Sequence, residues 1–342
     1  MTESIIPTYT DSMMYREILE EPDVIIRTMN SVREKVLEAS TVIRKSKLVF
    51  IVGSGTSYHA GIILQICLLN RGVHAVAVRS SEFSHYNVRE RNGIVAILIS
   101  QSGESIDIID ALDFATKNNY ITISITNVSE STLAKGSNIT IVTNAGEEKS
   151  VAATKSHIAQ LSALFALAEA IEGLQRLNAH EESLLGLSDR LRIILIDSER
   201  ISEMGKIITG RVVFLGDGYL HAVAMEGALK FEESANLVTE AFPIGEYLHG
   251  PIQILSSNDT VIILKGPGNA DISRVLTRIE KITRNIITIG YGHSDTIVLP
   301  EPNFPGFQSI LSVVPLQLMA NYKSIERGLN PDRPARLNKI VK

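Results

Sequence analysis

Apolar residues fall in short blocks along the middle of the chain, and the blocks alternate with a longer rhythm. "KLVFIVG" (47–53), "VAILIS" (95–100), "ITISIT" (121–126) and "ITIVTN" (139–144) are near-continuous runs rich in β-branched residues. Between them, from about Tyr58 and again from about Ser105, apolar positions recur at helical spacing; Ile106, Ile109, Leu112 and Ala115 make one stripe. Strands apolar on both faces, alternating with amphipathic helices, belong to a parallel sheet covered on two sides. The predicted fold class is α/β.

The pattern then repeats. "VFIVGSG" (49–55) matches "VFLGDG" (213–218) and "VAILISQSG" (95–103) matches "VIILKGPG" (261–268), both displaced by roughly 160 positions, as an internal duplication requires. Between the copies, "SHIAQLSALFALAEAIEGL" has the spacing of a long packed helix, and "NAHEESLLGLSDR" makes a joint. The expected organisation is a helical segment over 1–45, a first α/β domain over 46–180, a second over 195–330, and a tail over 331–342. Charged and broken by Pro331 and Pro334, that tail by itself reads as loose.

Composition narrows the function classes. A chain of 342 residues with 44% hydrophobic content has room for about two domains with ordinary cores. Its formal charge of −5 is spread over interspersed acids and bases, so no field of one sign favours nucleic acid or an anionic membrane. The single cysteine, Cys67 in "GIILQICLLN", reads as a small buried apolar residue and points to a reducing compartment. Glu3, Asp11, Glu17, Glu20 and Glu21 crowd the N-terminus, which is wrong for a signal peptide, and no apolar run nears the ~18–20 residues of a membrane span. The expected location is cytoplasmic.

The candidate chemistry starts at "SQSGES" (100–105), where an apolar strand gives way to Ser100, Gln101, Ser102, Gly103 and Ser105. In open parallel sheets ligands sit beyond the carboxyl ends of the strands, where loops enter helices. A helix start offers unpaired N–H groups and about half a positive charge, so it holds phosphate without Lys or Arg. Hydroxyls and an amide add donors, and Thr56 and Ser57 in "GSGTSYHAG" come to a neighbouring strand end. An ordinary N-cap with loop serines around it has the same spacing. The second copy carries "KGPG" instead, so the hydroxyls are not required by the fold. A dinucleotide fingerprint would need glycine where Tyr58 stands.

Glu226, Lys230 and Glu233 in "MEGALKFEESANL" share one helical face, compatible with a solvated ion-pair face or with a carboxylate poised for proton transfer. His249, in the Pro- and Gly-rich "FPIGEYLHGP", is either structural or an acid–base group. Lys339 in the tail has the composition of a solvated residue. HExxH, paired CxxC, GxxxxGK[ST] and GxSxG are all absent, which argues against a zinc site, a P-loop and a serine-hydrolase elbow.

Taken in order, "YREILEEP", "GSGTSYHAG", "SQSGES", "TNAGEEKSVAATK", "EGALKFEESAN", "GEYLHGP" and "DRPARLNK" resemble the sugar isomerase (SIS) family, and specifically the isomerase half of the glucosamine-6-phosphate synthases, the glutamine:fructose-6-phosphate aminotransferases. The resemblance runs from about residue 15 to the C-terminus. It implies two tandem SIS subdomains, each a flavodoxin-like αβα sandwich on a parallel sheet, with no cofactor and no metal. It places the substrate phosphate on Ser57, Ser100, Gln101, Ser102 and Ser105, and the sugar beside Thr56 and Val151. The base between C1 and C2 falls on Glu233 with Lys230 beside it. His249 would reach a neighbouring subunit to assist ring opening, which implies a homodimer with shared sites. Lys339 would form a Schiff base with the keto sugar, so that the tail covers the active site. Two departures stand out: Ala153 replaces the family's serine, and the glutaminase domain with its N-terminal cysteine is missing. The implied activity is a glucosamine-6-phosphate deaminase or ammonia-dependent isomerase. An aminotransferase fed ammonia by a separate subunit, a deglycase of another aminated sugar phosphate, and a non-catalytic sensor are the alternatives.

Overall fold

The computed structural model describes residues 6–86, 88, 92–267 and 272–341. Two compact units emerge from the contacts: a first made of Glu20–Glu148, Ala153–Ser188 and Lys339–Lys342, and a second made of Met1–Leu19, Lys149–Ala152 and Asp189–Asn338.

The chain opens with α1 (Met13–Leu19), which belongs to the second unit, and α2 (Glu21–Ile43), which belongs to the first. The first unit continues through β1 (Leu48–Gly53), α3 (Thr56–Leu69), β2 (Ala75–Arg79), β3 (Ile94–Ile99), α4 (Ile106–Lys117), β4 (Ile121–Thr126), α5 (Thr132–Gly136), β5 (Ile139–Val142) and α6 (Lys155–Glu172). Its five strands are all parallel, in the order β2-β1-β3-β4-β5. Ile51 at the middle of β1 is aligned with Ala77 on one side and Ile97 on the other. Every residue of β3 is buried, as expected where helices cover both faces of a sheet. One face packs Phe50, Val52, Leu98, Leu112 and Tyr120 into a core. On α6 the residues from Lys155 to Ile171 are all buried, the polar Lys155, His157, Gln160 and Glu169 among them, and α2 packs along it.

After α7 (Leu174–Ile196) the second unit runs through α8 (Ser198–Glu203), β6 (Val212–Leu215), α9 (Tyr219–Ala235), β7 (Thr239–Phe242), β8 (Thr260–Leu264), α10 (Ser273–Ile279), β9 (Ile286–Gly290), β10 (Ile297–Val298) and α11 (Gln308–Glu326). Its sheet is parallel too, in the order β7-β6-β8-β9-β10, the same flavodoxin-like 2-1-3-4-5 order as the first. The duplication extends to backbone detail. Gly55 before α3 has φ 50°, ψ −124°, and Gly218 before α9 has φ 57°, ψ −123°, a conformation that a side chain would not tolerate.

Of the segment expected at 1–45, residues 1–5 lie outside the described residues, helices span Met13–Leu19 and Glu21–Ile43, and these two belong to different units. The tail is more ordered than its composition suggests. Asp332 is buried, and its carboxylate accepts from the N–H groups of Met13 (2.9 Å) and Met14 (2.8 Å) at the start of α1. Ser12 Oγ caps α1 locally by accepting from Tyr15 N–H (3.1 Å), and the remote carboxylate satisfies two further orphan donors. Cys67 is buried, and among the described residues no helix is long and apolar enough to cross a membrane.

Candidate active site

The loop after β3 is held in shape by its neighbours. The Gln101 carbonyl accepts from Asn127 N–H (3.0 Å) and Thr126 Oγ1 (3.2 Å), and the Gly103 carbonyl from Leu133 N–H (3.1 Å). The Glu104 carboxylate takes the N–H (2.7 Å) and hydroxyl (2.9 Å) of Thr132, and those two bonds hold its carboxyl below the usual carboxylate range. Gly103 sits at φ +65°, and a Cβ there would lie 2.3 Å from Ser131 Oγ. Only glycine fits both the backbone and the space.

Within this frame Ser57, Ser100, Gln101, Ser102 and Ser105 line one pocket of about 130 Å³, together with Ser54, Ser80, Ile99, Ile108 and Lys339. The pocket brings together the whole predicted phosphate set and the tail lysine. Two details separate it from an ordinary helix start. Ser105 occupies the N-cap of α4 with extended backbone (φ −67°, ψ 139°), yet its side chain makes no capping bond. The N–H of Ile106, the first residue of the helix, is bonded by the carbonyl of Val341 at 3.2 Å. Ser80 is only 4% exposed and its hydroxyl has no partner among the described residues, a cost of about 1–3 kcal/mol unless something fills the pocket and satisfies it. Neither Ser54 nor Ser80 was singled out from the sequence. Ser80 follows β2 directly, so the strand-end rule applied to "AVAVRSS" marks it.

Lys339 is not a solvated tail residue. Its ammonium lies 2.7 Å from Glu148 Oε2, and the Glu148 side chain is fully buried. The other carboxylate oxygen, Oε1, accepts from the N–H groups of Thr154 (2.9 Å) and Ser156 (3.0 Å), and Oε2 also from the Ser156 hydroxyl (2.7 Å). Glu148 thereby caps the start of α6, whose own N-cap residue Thr154 makes no side-chain bond. Burial by itself would push this carboxyl up, but the Lys339 ammonium and the Ser156 bonds outweigh it and hold the carboxyl below the usual range.

On α9, in the second unit, the Glu226–Lys230–Glu233 face is no solvated ion-pair face. Glu226 and Lys230 have fully buried side chains and Glu233 is 22% exposed, with Lys230 Nζ 3.4 Å from Glu226 Oε1 and 2.5 Å from Glu233 Oε2. One ammonium therefore serves two carboxylates, and Glu233 is the partner that solvent or a substrate can reach. His249 ends a short turn, Glu246–His249, is exposed, and lines a different pocket of about 560 Å³ with Asp217, Arg274 and Arg278. Thr56 is the first residue of α3, half-buried and outside the lining of the serine pocket. Val151 belongs to the second unit, where its N–H bonds the Asp332 carbonyl at 3.1 Å. Ala153 is half-buried just before α6.

Among known proteins, the SIS domain family model matches residues 42–170 and 209–290. The glutamine–fructose-6-phosphate aminotransferase (isomerizing) of Pyrobaculum aerophilum is 34% identical over 96% of this chain, and that match spans 57% of the relative's length. The chain therefore covers a little over half of the curated relatives it matches. The C-terminal domain of glucosamine-fructose-6-phosphate aminotransferase from Francisella tularensis superposes with a TM-score of 0.83 at 26% identity, covering 94% of this chain and 98% of that one. Glucosamine-6-phosphate deaminase from Thermotoga maritima gives 0.81 at 25% identity, covering 96% and 99%. With two matched segments, two sheets of one strand order and a strand-end pocket in the first, the chain belongs to the SIS domain family.

Proposed function

We propose that this protein interconverts glucosamine 6-phosphate and fructose 6-phosphate plus ammonia. The observation that carries the reading is the serine pocket at the end of β3, with an uncapped Ser105, a buried unpartnered Ser80 hydroxyl, and Lys339 at its wall. Neutral donors at a helix start suit a phosphate ester, and a lysine beside them suits a carbonyl. In this reading the ester binds Ser57, Ser100, Gln101, Ser102 and Ser105, and Lys339 forms a Schiff base with the ketose. Glu233, with Lys230, moves the proton between C1 and C2. Thr56 and Val151 border the sugar, and His249 acts at the site of a second copy in a homodimer. Binding energy from the ester, remote from the reacting carbons, then positions them for the carboxylate. The likeness to the Thermotoga deaminase over nearly the whole of both chains supports the deaminating direction. The 34% identity to the Pyrobaculum aminotransferase supports a second reading, the aminating direction.

The test incubates purified protein with glucosamine 6-phosphate and measures ammonia, and separately supplies fructose 6-phosphate with an ammonium salt and measures glucosamine 6-phosphate. Release in the first reaction supports deamination, and formation in the second amination. Binding of both sugars with neither reaction overturns the catalytic reading and leaves a sugar-phosphate sensor.

A further inference from the structure

Glu148 is a buried carboxylate to which the proposed chemistry has given no part. It lies in "TNAGEEKS" (143–150), a stretch without apolar periodicity, and its partners come from α6 and the tail. Three bonds from Thr154 and Ser156 fix the orientation of the carboxylate, and the fourth direction is occupied by Lys339 Nζ. The lysine remains 26% exposed, while the Glu148 side chain has no exposure. A lysine that lines a ligand pocket on one side therefore rests on a charge withdrawn from solvent on the other.

We propose that Glu148 is the positioning residue and counter-ion of Lys339, holding Nζ at the pocket and keeping the nitrogen protonated once it has become part of a Schiff base. This inference rests on the Schiff-base reading given above. The protons balance without any outside reagent. Glu148 accepts one proton from the ammonium, and the freed lone pair attacks the ketose carbonyl carbon. A C–N bond forms, the carbonyl π bond breaks, and a second nitrogen proton passes to the alkoxide to give a neutral carbinolamine. Glu148 returns its proton to the nitrogen beside it, a nitrogen proton passes to the carbinolamine hydroxyl, which leaves as water, and the remaining N–H⁺ of the iminium faces the restored carboxylate. The charge opposite Glu148 is the same at the start and at the end, so a rigidly bonded, fully buried carboxylate has nothing to reorganise. The protonated iminium is the form that withdraws electrons from C1 and makes its proton removable.

The test traps the intermediate with cyanoborohydride, which reduces protonated imines selectively, using fructose 6-phosphate as the probe and mass spectrometry to locate the adduct. In wild type the adduct should be on Lys339. In Glu148→Gln the trapping rate at neutral pH should fall by about tenfold or more, and the pH above which trapping fails should drop by about one unit or more, because the iminium has lost its opposing charge. Binding of the corresponding alditol phosphate, which has no carbonyl, should stay within about threefold of wild type. Ser156→Ala is the control, since it removes a bond to Glu148 and leaves the charge; its trapping should fail at the wild-type pH. A folded Glu148→Gln protein with the wild-type pH fall-off overturns the inference. A wild-type protein that traps no sugar overturns the Schiff-base reading and the inference with it. Should Glu148→Gln not fold, Glu148→Asp carries the test. Its carboxylate is set back from Nζ, so a fall-off at lower pH supports the counter-ion and an unchanged one overturns it.

Discussion

Gly103→Ala isolates the geometry that shapes the serine pocket. Two costs add. At φ +65° an L-residue pays about 1–2 kcal/mol for the left-handed backbone. The new Cβ would also lie 2.3 Å from Ser131 Oγ and 2.7 Å from Ser131 Cβ, well inside the ~3.5–4.0 Å of a comfortable contact. Relieving such an overlap by shifting neighbours costs about 1–3 kcal/mol. The expected loss is therefore about 2–5 kcal/mol, felt first in the loop and the β3–α4 segment. Hydrogen exchange followed by mass spectrometry reads it as a fall in the opening free energy of peptides spanning 94–117. A second substitution separates the two costs. Ser131→Gly removes the two nearest clashing atoms, and also the hydroxyl that accepts from Ala134 N–H at the start of α5, a loss of only about a few tenths of a kcal/mol when glycine takes the N-cap. The double variant should be more stable than the sum of the singles by about 1–3 kcal/mol, the size of the steric component. If Gly103→Ala costs less than about 0.5 kcal/mol, or if the two changes simply add, the reasoning about this turn is wrong.

Four further outcomes are expected. Ser80→Ala should leave the stability of the unliganded protein unchanged or slightly raised, because the hydroxyl has no partner among the described residues, and should weaken binding of a phosphorylated sugar by about 10- to 100-fold in calorimetric titration. Ser102→Asp should reduce affinity for sugar phosphates by about a hundredfold or more through like-charge repulsion, while unphosphorylated sugars are unaffected. Glu233→Gln should abolish turnover in the ammonia assay with sugar-phosphate affinity within several-fold of wild type; surviving turnover would mean another group is the base. His180 lies on α7 against Phe165, and burial pushes its imidazole down to about 3, with Arg71 and Arg176 adding to the effect. The folded state therefore favours the neutral ring. Its contribution is intact above the unfolded value near 6.5 and is lost as pH falls from there toward 3, a loss of at most about 5 kcal/mol. His180→Leu should flatten the acid limb of stability against pH in denaturant titrations.

Much of the architecture was legible because its cause is periodic. Strands buried on both faces leave unbroken apolar runs, and the repeated "VFIVGSG" and "VFLGDG" segments reappear as β1 and β6 with matching turns at Gly55 and Gly218. The serine pocket was legible because the strand-end rule depends only on topology. What stayed hidden depends on partners distant in sequence. Glu148 is joined to Lys339 across 191 positions, and Asp332 to Met14 across 318. A carboxylate that caps another element leaves no local signature. Spacing on α9 put Glu226, Lys230 and Glu233 on one face but could not tell whether that face was wet. The small residues interleaved there, Ala224, Gly227 and Ala228, were the available clue, since they permit close packing over a helix.

Among the described residues the wall of the serine pocket carries a single formal charge, on Lys339, and Glu148 pairs with it. An anion entering there meets dipoles whose reach ends within a few ångströms, with no long-range pull from outside. Capture should then change little with ionic strength, where a cradle of arginines would lose its grip as counter-ions screened it. Such a berth would also let an anion go readily, since neutral hydrogen bonds are weaker than charge-assisted ones.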